Sequence, residues 1–200
     1  MDSSVRFEQR DSVLLVSLAS PDQLPRLTRS VLQLLMERFS SIGDNSTCSA
    51  VVITGTASAF AAGADLAEVS TLTPITALAF SALGQSLMNA IEQSPKPVVA
   101  AIRGHCLGGG LDLAMACHVR IAGTDARFGH PGGSLGIITG WGGTARLPRI
   151  VGQARAKEMF ITGRILTAKD ALAWRLVSRV VPPQTVVEDS LQLARKLGGG

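Results

Sequence analysis

The chain has 200 residues, 46% hydrophobic and 17% charged, with a formal net charge of +4. That is one domain's worth of chain with material for a sizeable core, and the composition excludes a disordered segment. Tyrosine is absent, the arginines are scattered and no aromatic residues interleave with a basic run, so the positive charge reads as a solvated surface and no nucleic-acid partner is expected.

The polar start, MDSSVRFEQRDS, does not read as a signal peptide, and no apolar run approaches the roughly 20 residues of a membrane helix. Cys48, Cys106 and Cys117 are odd in number and lack metal-ligand spacing, which suits a reduced, cytoplasmic setting. Strand-length apolar runs recur along the chain: VLLVSL (13–18), AVVIT (50–54), PVVAAI (97–102), HVRIA (118–122) and LVSRVV (176–181). Several are continuous and β-rich, as strands covered on both faces are. Between them, Leu27, Val31, Leu34, Leu35 and Phe39 recur at helical spacing and predict an amphipathic helix over 26–40. A second helix is predicted over 75–92, with Leu78, Leu83, Leu87 and Ile91 inward, ending before SPKP. Further helices are expected over 153–162, 168–174 and 184–197. Alternating strands and helices predict an α/β class with parallel pairing in a single domain over 1–200.

Three segments carry candidate chemistry. AFAAGADL (59–66) follows the strand AVVIT. RGHCLGGGLDLAMAC (103–117) is a strand end, three consecutive glycines and a helix. FGHPGGSLGIITGWGGTARLPRIVG (128–152) is a glycine-dense loop that runs into a helix. Glycine lets backbone approach a ligand closely. A helix opening at such a turn aims unpaired N–H groups and its positive dipole end at whatever binds there. Amides converging on one point can hold an oxyanion.

These segments resemble those of the enoyl-CoA hydratase/isomerase (crotonase-like) family, and the likeness continues through ARLPRIVG, ITGRILTAKDA and VSRVVP. The resemblance implies a crotonase-like spiral of ββα units with parallel sheets, and a homotrimer or hexamer acting on acyl-CoA thioesters. It implies no metal or redox cofactor, coenzyme A entering as part of the substrate. It implies that two amides, carried over as those of Ala62 and Gly109, hold a thioester enolate. Ala61, Gly63, Asp65, Leu66, Gly108 and Gly132 are then expected around the substrate, with Arg26 near a CoA phosphate and Asp65 steadying its loop.

Asp112, in the first turn of the helix after the triplet, falls where hydratases carry one of two catalytic glutamates. Its alternative use there is compensation of the helix dipole. Gly132 falls where they carry the second. Hydration needs one group to activate water and one to supply a proton. The resemblance with Gly132 therefore favours single-base chemistry, double-bond migration or decarboxylation, over hydration. A glutamate installed at 132 is expected to face Asp112 across the acyl chain. His130 is a candidate base, with a structural role as its alternative. The rival from another class is a non-catalytic acyl-CoA binder or assembly subunit.

Two other matches fail. Gly108–Gly110 lacks the G-x-G-x-x-G pattern of a dinucleotide turn, and the next strand does not end in an acidic residue. Gly132–Gly136 fits G-x-S-x-G, but His105, His118 and His130 all precede Ser134, the wrong order for that hydrolase triad. Arg175 stands where relatives end a helix with glycine. By the resemblance, the sequence ends at LARKLGGG where C-terminal helices for subunit contacts and the acyl pocket would be expected to follow.

Overall fold

A computed structural model describes residues 4–22 and 24–199. Met1–Ser3 of the polar start, Gln23 in the segment before Arg26, and the terminal Gly200 lie outside it. Strands β1 (Val5–Arg10) and β2 (Val13–Leu18) form an antiparallel hairpin, and β3 (Arg26–Leu27) precedes helix α1 (Arg29–Ser40). Then come β4 (Ala50–Thr54), β5 (Ala59–Ala61), β6 (Gly63–Ala64), α2 (Leu66–Ser70) and α3 (Pro74–Glu92). Next are β7 (Val98–Ile102), β8 (His105–Leu107), α4 (Gly109–Ala116), β9 (Val119–Gly123) and β10 (Arg127–Gly129). The chain finishes with a 3-10 turn (Pro131–Leu135), α5 (Gly143–Val151), α6 (Gln153–Thr162), β11 (Leu166–Thr167), α7 (Ala168–Ala173), β12 (Arg179–Val181) and α8 (Val186–Gly198).

One six-stranded sheet runs β1-β2-β4-β7-β9-β12, parallel except for the β1–β2 hairpin. Every residue of β4 and β7 is buried, as their unbroken apolar runs require. Side chains alternate across these strands. Val51, Ile53, Val98, Ala100 and Ile102 join the main core with α1, α3 and α4. Ala50, Val52, Val99 and Ala101 pack under Val186, Leu191 and Ala194 of α8. The second sheet, β11-β10-β8-β5, is built from two- and three-residue strands. It sets β5 beside β8, and so brings the turns after both strands to one place.

Helices α1 and α3 differ from their predicted form in ways that bear on the site, while α7 and α8 shift by only one or two residues at their ends. Helix α1 starts at Arg29, because the Thr28 hydroxyl caps it by accepting from the Val31 amide, while Arg26 and Leu27 pair with β6. Helix α3 starts at Pro74 behind a Thr73–Thr76 capping box. Its buried stripe is Phe80, Gly84, Leu87, Met88 and Ile91. Leu78, expected inward, is 73% exposed and lies off that stripe. Arg175 does adopt the left-handed conformation, at φ 62°. No helix among the described residues is long and apolar enough to cross a membrane.

Candidate active site

The turns after β5 and β8 touch through bare backbone. Gly63 has φ +105°, and a Cβ there would lie 3.0 Å from the Leu107 carbonyl oxygen and 3.2 Å from the Gly109 nitrogen. Gly108, at φ +51°, swings the chain into α4 without a side-chain cap. The amides of Leu111 and Asp112 turn back to the Gly108 carbonyl. Gly109 heads the helix, where an N–H has no intrahelical acceptor and the dipole is positive. A side chain at Gly109 would collide with the Trp141 ring, so the close packing here rests on glycine.

The first expected donor needs correcting. The Ala62 amide donates to the Pro25 carbonyl at 2.8 Å, so it is not free to serve a ligand. Ala61 is fully buried against the backbone of Gly110 and does not reach the cavity. Arg26 is also away from the cavity, held by Asp22 at 2.7 Å and by the Leu24 carbonyl. Asp65 caps α2, accepting from the amides of Ala67 and Glu68. Gly63, Leu66, Gly108, Gly109 and Gly132 do line one cavity of about 370 Å³, together with Ala62 and Ala64. Its remaining walls are largely apolar, including Val69, Leu72, Phe80, Ile137 and Trp141. Trp141 is buried in a T-shaped pair with Phe80, the ring centroids 5.4 Å apart, and its ring fills the space left by Gly84 on α3.

Gly132 borders the cavity but leaves no room for a side chain. Its carbonyl accepts the Ile137 amide at 2.9 Å, and a Cβ would stand 2.5 Å from the Ile137 carbonyl oxygen. A glutamate there must first displace that turn, which goes against the expectation that it would face Asp112 across the acyl chain.

Asp112 lies on the inner side of α4 and has no solvent exposure. It is behind the cavity wall and not part of it. Thr139, which does line the cavity, donates its hydroxyl to Asp112 Oδ2. The Trp141 amide also favours the ionised carboxylate. Gly143, the first residue of α5, packs bare backbone against Oδ1. His130 brings Nε2 to 3.6 Å from the same oxygen, beyond hydrogen-bond reach, and its ring stacks at a tilt on Phe160. Burial pushes the Asp112 carboxyl up to about 6, against the opposing effects of the Thr139 hydroxyl, the Trp141 amide and Arg146. Burial pushes His130 down to about 4, so its imidazole is neutral near pH 7. The sequence flagged Asp112 and His130, but it missed Thr139 and Trp141. Their segment, ITGWGG, stood out only for its glycines, and nothing in spacing ties Thr139 to a carboxylate on another helix.

Residues 8–199 match the family model described as enoyl-CoA hydratase/isomerase. The chain belongs to that family. It is 35% identical over 195 residues to a crotonyl-CoA hydratase of Syntrophomonas wolfei, covering 97% of this chain and 75% of the relative. It is 36% identical to a short-chain-enoyl-CoA hydratase of Clostridium acetobutylicum, covering 98% and 75%. The crystal structure of an enoyl-CoA hydratase from Bacillus anthracis superposes with a TM-score of 0.94 at 35% identity, covering 99% of this chain and 78% of that one. The fold is therefore the crotonase fold, and the protein is an acyl-CoA-processing enzyme of this family. The non-catalytic reading gains no support from these relatives, which are named as enzymes.

Proposed function

We propose that the enzyme moves a proton on an enoyl-CoA by single-base chemistry, shifting the double bond through an enolate. The observation that carries this reading is the carboxyl supply. Among the described residues, no Asp or Glu lines the cavity, and Asp112 is the one carboxyl hydrogen-bonded to a lining side chain. In this reading the thioester carbonyl sits at the head of α4 and accepts from the Gly109 amide. A second donor comes from Gly63–Ala64, the part of the first turn that borders the cavity beyond Ala62. Asp112 takes a proton as the enolate forms and returns it to another carbon. A carboxyl whose pKa is raised to about 6 suits a base that must also give its proton back near neutral pH. Coenzyme A enters as part of the substrate, with no further cofactor in the reaction.

Hydration is the second reading, favoured by the names of the relatives. With Gly132 at the position of the family's second carboxylate, the resemblance assigns no group to activate water. The two readings separate in one assay. A 3-enoyl-CoA gains conjugated-thioester absorbance when isomerised, whereas crotonyl-CoA loses it when hydrated. Single-base chemistry gives turnover of the first, little of the second, and loss of turnover in Asp112→Asn. Fast crotonyl-CoA hydration by the wild type would reverse the order of the two readings.

A further inference from the structure

The proposed base and the cavity do not meet directly. Asp112 is fully buried, whereas the cavity wall in front of it is formed by Thr139 and Trp141. An indole carries no exchangeable proton on the carbon edge that faces Gly109. The Thr139 side chain does carry one, and it lies on both sides of the wall: half-buried, bordering the cavity, with its hydroxyl given to Asp112 Oδ2. Its methyl group lies beside Gly143, where a Cβ would collide with it. Gly143 also stands against Asp112 Oδ1, so carboxyl, hydroxyl and the start of α5 meet at one point.

We infer that Thr139 is a catalytic residue that relays the proton between substrate and Asp112, an inference that rests on the single-base reading above. As the carbon–hydrogen bond next to the thioester carbonyl breaks, its electron pair moves into the enolate held at Gly109. The proton passes to Thr139 Oγ1 while the hydroxyl's own proton passes to Asp112 Oδ2. The reverse transfer, delivered at another carbon, restores both groups and leaves a migrated double bond. Protons and charge balance without a co-reactant. A hydroxyl can act in this way because it donates one hydrogen bond while accepting others.

The test compares wild type with Thr139→Val, which keeps the shape and removes the hydroxyl, and Thr139→Ser, which keeps the hydroxyl. Thr139→Ala repeats the hydroxyl-free test should valine disturb the loop, and circular dichroism checks each fold. The assay follows 3-enoyl-CoA isomerisation from mildly acidic to alkaline pH. General acid–base groups contribute about 100- to 10,000-fold. The valine variant should lose at least about 100-fold in kcat with little change in KM, and the serine variant should keep most of the rate. Removing the hydroxyl also removes a bond that lowers the Asp112 pKa, so the rising limb of the profile moves to higher pH. The other ionisable groups facing Asp112 are His130, Arg146 on α5 and Cys106 on β8, all unchanged in these variants. A loss that persists at alkaline pH supports the relay. Full recovery there would show that Thr139 only sets the ionisation of Asp112, and overturns it. A wild type that needs Asp112 while Thr139→Val runs at full rate overturns the relay alone. A wild type inert toward every enoyl-CoA removes the single-base reading and the relay together.

Discussion

Replacing Asp112 by Asn should change how stability depends on pH, by an amount that follows from burial. In the unfolded chain the carboxyl titrates at its ordinary value of 3.8, and in the folded protein at about 6. Below 3.8 it is protonated in both states and contributes its full stability. Between 3.8 and about 6 the unfolded state ionises while the folded state does not. Stability then falls by about 1.4 kcal/mol per pH unit, and above about 6 no more is lost. The total is about 3 kcal/mol, a large share of a typical domain's 5–15 kcal/mol. Asparagine keeps an oxygen for the Thr139 hydroxyl and does not titrate. The stability of Asp112→Asn relative to wild type should therefore rise by about 2 kcal/mol, most of that total, from pH 4 to pH 7. Urea unfolding of both proteins at several pH values, followed by tryptophan fluorescence, measures this difference. A flat difference would refute the argument from burial. One of opposite slope would show that Asp112 is ionised at low pH, paired with a charged His130, in place of the neutral imidazole described above.

Four further outcomes follow from the packing. Gly109→Ala should cut turnover by about 100-fold or more, because the methyl must push the Trp141 ring aside and move the donor amide with it; normal activity in steady-state assays would show the amide is not used. Gly132→Glu should lower stability by about 1–3 kcal/mol as the Ile137 turn gives way, and should bring no hydratase activity; calorimetry showing an unchanged melting point would contradict the packing. Arg175→Gly should raise stability by about 1 kcal/mol, since the residue is left-handed, and a lower melting temperature would count against it. Ile75, Leu78 and Ile161 are 83%, 73% and 79% exposed, and we expect them to drive concentration-dependent self-association; sedimentation showing a monomer at every concentration would oppose this.

The large elements were legible because their patterns are local. AVVIT and VVAAI read as doubly covered strands, and the structure buries every residue of both. The second sheet was not legible, since two- and three-residue strands flanked by glycine carry no period to detect. The phase of α3 was misjudged at Leu78 because the helix is rich in small residues. Its inner face is set partly by Gly84, which makes room for a tryptophan from a distant loop. At the site, the glycine turns, Asp112 and His130 could be picked out by residue type and resemblance. The loss of the Ala62 amide to Pro25, and the tie between Thr139 and Asp112, depend on chain segments meeting in space. No one-dimensional spacing encodes either.

The chain holds only two tryptophans, and they sit in very different company. Trp174 lies under the guanidinium groups of Arg155 and Arg164, outside the cavity wall. Trp141 is the wall itself, wedged between Gly84 and Gly109. On the proposed reading, an acyl group entering the cavity changes the surroundings of Trp141 and leaves Trp174 as an internal standard. With no tyrosine present to add its own emission, the protein carries an unlabelled optical gauge of occupancy. Acyl chains of different length and branching can be ranked by it even in variants that no longer turn over.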